Sequence, residues 1–97
     1  MRSLARSLVL EERISTAEAK AKALRPFVER LVTYAKKGTL ASRRLAKSTL
    51  GDDEAVKKLF ESIGPRYADR AGGYTRIVKR TARGANDARK LAYIAFV

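Results

Sequence analysis

Apolar positions along this 97-residue chain recur first at the spacing of helices and later at that of strands. Leu4 and Leu8, with Ala5, fall on one side of residues 3–12 and predict a short amphipathic helix. Arg13-Ile14-Ser15 is too short to assign by period and reads as an extended link or an edge strand. Ser15 and Glu18 then match a capping box, with Ser15 as the N-cap. The helix they open carries Leu24, Phe27, Val28, Leu31 and Ala35 on one stripe. Pro26 lies inside it, so a kink or a restart is expected there. Lys36-Lys37-Gly38 ends it, with cations in the last turn and a glycine just beyond.

Thr39 can cap a third helix reaching Leu50. Its apolar pattern is split, with Ala41, Leu45 and Thr49 on one stripe and Ala46 and Leu50 on another. Gly51 breaks it and Asp52 caps a fourth helix, where Ala55, Val56, Leu59, Phe60 and Ile63 form a tight apolar face. Asp52, Asp53 and Glu54 suit the positive end of that helix dipole, and Gly64-Pro65 should stop it. After Gly73 the period changes. Residues 74–80 and 91–97 are rich in β-formers, and the intervening 81–90, with Gly84 and Asn86-Asp87, reads as a long hairpin loop. The last strand is apolar on both faces, which places it mid-sheet. A two-stranded ribbon is marginal on its own, and residues 12–16 are the only candidate for a third strand. The expected fold is α+β: one domain over 1–97, three to four helices on one face of a small, about three-stranded sheet, and a C-terminal β-hairpin.

Charge adds what periodicity cannot. The chain holds 22 basic and 10 acidic residues, net +12, and neither cysteine nor histidine. Lys36, Lys37, Arg43, Arg44 and Lys47 occupy 36–47 without an acid, and 66–90 carries eight basic residues against Asp69 and Asp87. A compact domain so charged repels itself until a polyanion neutralises it. The missing residue types remove disulfides, thiolate metal sites and the commonest general base. The only acidic cluster, Asp52-Asp53-Glu54, is explained by capping, so no catalytic constellation, metal or other cofactor, and no small-molecule substrate is expected. No apolar run is long enough to span a bilayer, and Glu11-Glu12 interrupts the N-terminus too early for a secretory signal. A cytoplasmic protein without a membrane partner is the expectation.

The segment Gly64-Pro65-Arg66-Tyr67-Ala68-Asp69-Arg70-Ala71-Gly72-Gly73-Tyr74-Thr75-Arg76-Ile77 concentrates the chemistry. Pro65 and the Gly72-Gly73 pair argue against regular structure there. Arg66, Arg70 and Arg76 suit phosphates, Tyr67 and Tyr74 suit bases, and Gly72 and Gly73 let a phosphate or sugar approach the main chain. Lys79 and Arg80 extend the basic run along the strand. Arg43, Arg44 and Lys47 continue from Lys36 and Lys37 along a helix face that can track a phosphate backbone, and Arg2 and Arg6 add charge at the N-terminus. The bland alternatives are a solvated turn, solvated charges, and two tyrosines packed in the core. No helix carries a major-groove reading set or an all-basic membrane face, so the best-fitting partner is structured RNA.

That fourteen-residue segment resembles the signature of the bacterial large-subunit ribosomal protein seventeen family. Arg2-Ser3-Leu4 through Glu12-Arg13-Ile14-Ser15-Thr16, then Ala19-Lys20-Ala21-Lys22-Ala23-Leu24-Arg25, is similar to that family's opening, and Leu91-Ala92-Tyr93-Ile94 to its close. The resemblance implies an α+β protein embedded in large-subunit rRNA near the nascent-chain tunnel exit, beside neighbouring large-subunit ribosomal proteins. Its role there is architectural, with Arg66, Arg70, Arg76 and the glycine pair facing RNA. Family members usually open with a basic, His- and Arg-containing arm of some twenty residues ahead of the position of Arg2, and the resemblance carries over no contacts of that arm. Self-repulsion suggests a monomer outside the ribosome. Two alternatives stand beside this reading: a general nucleic-acid chaperone, and a basic module that docks an acidic protein.

Overall fold

The structure, a computed structural model, describes residues 1–80 and 90–97. The chain runs through α1 (Arg2–Glu11), β1 (Arg13–Ala17), α2 (Glu18–Lys37), α3 (Leu40–Leu50), α4 (Asp53–Lys58), a π-helical turn (Leu59–Ile63), α5 (Gly64–Arg66), β2 (Thr75–Arg80) and β3 (Leu91–Phe96). The strands form an antiparallel sheet of order β1-β3-β2. The doubly apolar last strand is therefore central, and the short segment after α1 is the third strand. The loop expected over 81–90 falls, except for Lys90, outside the described residues.

One face of the sheet meets the helices. Ala92, Ile94 and Phe96 of β3 join Ala5, Leu8 and Val9 of α1 and Leu24, Val28 and Leu31 of α2 in a single core. α2 is the spine of that core. Of the kink or restart expected at Pro26, the restart does not occur: α2 is one helix through it, and both Pro26 and Lys22, whose carbonyl loses its amide partner there, are exposed residues. In α3 the split pattern resolves in favour of Ser42, Ala46 and Leu50, which are buried, while Leu40 and Leu45 stay 66% and 52% exposed.

Two expected boundaries move. Ser15 does not cap α2. It lies within β1, and the first amide of α2, Glu18, donates to the carbonyl of Lys90 at 2.8 Å. Pairing the whole of β1 satisfies more backbone groups than one capping bond can. Nor does Gly64-Pro65 stop the fourth helix, and the segment opening at Gly64 is helical for its first three residues. The amide of Gly64 bonds to Leu59 O, five residues back. This wider turn relieves the clash that the Pro65 ring would make with an α-helical carbonyl.

Candidate nucleic-acid interface

The loop after α5 is pinned from beneath. Tyr67 and Tyr74, 4% and 3% exposed, insert into the core with ring centroids 5.4 Å apart, and Tyr67 stacks obliquely on Phe96 at 6.4 Å. The Tyr67 hydroxyl donates to Val97 O, and that of Tyr74 to Arg70 O at 3.1 Å. Lys36, half-buried at the end of α2, donates its ammonium to the same Arg70 carbonyl and to the Tyr74 hydroxyl at 2.8 Å. Of the two readings the sequence left for Tyr67 and Tyr74, core packing is the one observed, and their place among RNA-contacting residues is corrected. Their flat faces are worth more inside a small core, where each hydroxyl also finds a partner. Lys36 is corrected likewise, since its charge anchors the loop rather than facing outward.

With those anchors beneath, residues 68–73 are all exposed. Arg70 folds back so that its Nε donates to Gly72 O at 3.1 Å. Gly73 sits at φ +66°, where a side chain would be strained, while a Cβ on Gly72 would meet nothing within 4 Å. The loop is an exposed ridge in which Gly72 and Gly73 leave the backbone bare, with Arg70 as its one base and Asp69 as its one acid.

Other candidate residues divide by use. Arg2 donates to the carbonyls of Thr49 and Ser48 at 2.9 and 2.8 Å, completing the C-terminal end of α3. Arg66 reaches Glu12 at 2.5 Å, Lys47 pairs with Asp53, and Lys79 lies 3.5 Å from Glu18. These three remain exposed, and Arg6 is half-buried. Lys37, Arg43, Arg44, Arg70, Arg76 and Arg80 are exposed with no carboxylate at salt-bridge distance among the described residues. Arg43 lies over Phe60, 5.3 Å from its centroid. Arg43, Arg44, Lys47 and Lys57 rim an open groove of about 560 Å³ between α3 and α4, whose lining includes Leu40 and Val56. Arg76 and Arg80 lie on the opposite side of the sheet from the helices.

Sequence reasoning passed over Arg13 and Tyr93. The Arg13 guanidinium sits 4.3 Å from the Tyr93 ring centroid and that of Arg80 4.7 Å. Only the strand register brings these three together; alternation within Leu91–Phe96 was the signal that puts Tyr93 on the outer face.

Glu12 is the acidic hub of the fold. It ends α1 at φ +66° and meets both Arg66 and, at 3.3 Å, Lys58. The Arg66 hydrogen bond holds its carboxyl below the ordinary glutamate range; burial opposes this and Lys58 adds to it. A carboxyl depressed in the folded state stabilises the fold above its unfolded pKa, and that contribution fades as pH falls through the folded value. Thermal midpoints should therefore decline as pH drops below the ordinary glutamate pKa, and Glu12→Gln should lose that part of the decline. The effect is small, because the side chain is 37% exposed and solvent screens the pair.

Comparison with known proteins gives a consistent result. The family described as Ribosomal protein L17 matches residues 1–97. A "Large ribosomal subunit protein bL17" from Hydrogenobaculum sp. is 63% identical over 97 residues, covering all of this chain and 82% of the relative. A protein of the same description from Sphingopyxis alaskensis is 54% identical over 96 residues, covering 99% of this chain and 68% of its own length. One from Fusobacterium nucleatum is 47% identical over 97 residues, with coverage of 100% and 83%.

Proposed function

Since the chain belongs to the ribosomal protein L17 family, we propose that it is a structural, non-catalytic component of the large ribosomal subunit. It forms a single rRNA-binding domain. The observation that carries this reading is the surface charge: net +12, with carboxylates reaching only five basic side chains among the described residues. Such a surface is completed by a polyanion. Lys37, Arg43, Arg44, Arg70, Arg76 and Arg80 supply phosphate contacts, and the Gly72-Gly73 ridge admits a backbone at close range. Arg6, Lys47, Arg66 and Lys79 add to the positive field. Arg2, Lys36, Tyr67 and Tyr74 serve by holding the scaffold in shape. Neighbouring large-subunit proteins are the second class of partner, supported by exposed Leu40 and Leu45 beside Arg43 and Arg44.

Titrating the full chain against large-subunit rRNA and against duplex DNA, over a range of salt, tests the proposal. Preferential rRNA binding that weakens steeply with salt is expected; equal binding to both polymers favours a general chaperone. Gly72→Ala adds a local check. It should leave the unfolding free energy within about 0.5 kcal/mol of the parent, as for an unencumbered surface position, yet weaken rRNA binding several-fold. An unchanged affinity would show that RNA does not approach the ridge there.

A further inference from the structure

The sheet face turned away from the helices is set by strand register. β1 and β2 both pair with β3, so three rows cross it: Arg13–Ala95–Arg76, Ser15–Tyr93–Val78 and Ala17–Leu91–Arg80. Directly opposed residues share a face, and neighbouring strands lie about 4.8 Å apart, so the backbones at Arg13 and Arg76 are about 10 Å apart. Arg80 reaches across β3 to donate Nη1 to Ser15 Oγ at 3.1 Å while its guanidinium lies over Tyr93. Arg13 comes to the same ring from the other edge strand. None of the nine positions is acidic, and Arg13, Arg76, Val78 and Arg80 are exposed.

We propose that this face is a phosphate-backbone binding surface for structured RNA, with Arg13, Arg76 and Arg80 as the contacting groups and Tyr93 as the residue that positions two of them. The inference rests on the RNA reading above and deepens it: Arg13 and Tyr93 are new to it, and they join Arg76 and Arg80 in one site. A guanidinium held by an aromatic face keeps its N–H edges available and loses less freedom when it grips a phosphate than a waving side chain does. A protein partner would have to bring carboxylates to three arginines and desolvate each pair, with little net gain. An RNA backbone arrives with its charges already spaced along it.

The test measures binding of the full chain to in vitro transcribed large-subunit rRNA as a function of salt. The triple variant Arg13→Gln/Arg76→Gln/Arg80→Gln should lower the slope of log affinity against log salt by about 2–3, at roughly 0.7–0.9 for each phosphate no longer neutralised. Tyr93→Leu keeps every charge, so it should leave the slope nearly unchanged while weakening binding several-fold. Should the triple variant fail to fold by circular dichroism, Arg76→Gln alone, which leaves the Tyr93 cluster intact, should lower the slope by about 1. An unchanged slope in these arginine variants, with the parent still binding rRNA, overturns this site and leaves the RNA reading standing. The same holds if they keep the parental slope but fail to join subunits, which would make the face a protein contact. A parent chain that does not bind rRNA overturns the RNA reading itself.

Discussion

Gly64→Ala should destabilise the protein by about 2–3 kcal/mol, the upper part of the range for overpacking a well-filled site. Conformation does not require the glycine: at φ −54° and ψ −54° it is ordinary right-handed helix. On helix propensity alone, alanine there would stabilise by up to about 1 kcal/mol. Contact reverses the sign. An added Cβ would stand 2.9 Å from Ala35 Cβ, 3.1 Å from Ala35 O and 3.2 Å from Ala35 C. Those atoms belong to the last turns of α2, which cannot swing aside as a flexible side chain can. The two helices would have to part, loosening the anchorage of Tyr67 just beyond. Denaturant unfolding measures the loss, and Ala35→Gly in the same chain should recover part of it by removing the nearest of the three clashes. A neutral or stabilised Gly64→Ala would mean that the helices do not cross closely here.

Glu29→Ala should cost a comparable amount, about 2–4 kcal/mol, because it strands two donors at once. Glu29 Oε2 accepts from both the amide and the hydroxyl of Thr75, each at 2.9 Å, and Thr75 is only 2% exposed. This bond pair joins the middle of α2 to the first residue of β2, where an edge strand would otherwise begin with an unpaired buried amide. Glu29→Gln retains an oxygen that can accept from both donors and should recover most of the stability. If Glu29→Ala and Glu29→Gln are equally harmful, charge rather than hydrogen bonding secures the junction.

Much of the fold was legible because its signals are local. The Leu24-Val28-Leu31-Ala35 stripe, the Lys36-Lys37-Gly38 ending, the Thr39 and Asp52 caps and the mid-sheet position of the last strand each depend on residues close in sequence. What escaped depends on distant partners. Ser15 was drawn into a strand by β3, and Gly64-Pro65 stayed helical through a π-helical turn no periodicity announces. The candidate interface was legible as a composition but not as a division of labour. Arg2 is taken up by Thr49 and Ser48, Lys36 by Arg70 and Tyr74, and Arg66 by Glu12, all far along the chain. In a small basic protein with few acids, long cations are also the available means of satisfying carbonyls at helix and loop ends. Arg13 and Tyr93 were missed for the complementary reason, since each looks unremarkable until strand register sets it beside Arg80.

The central claim is that this chain completes a ribonucleoprotein particle. Quantitative mass spectrometry of purified large subunits after a high-salt wash tests it most directly. The account predicts one copy per subunit, retained through the wash. A chain that is expressed in the cell but absent from washed subunits would contradict it.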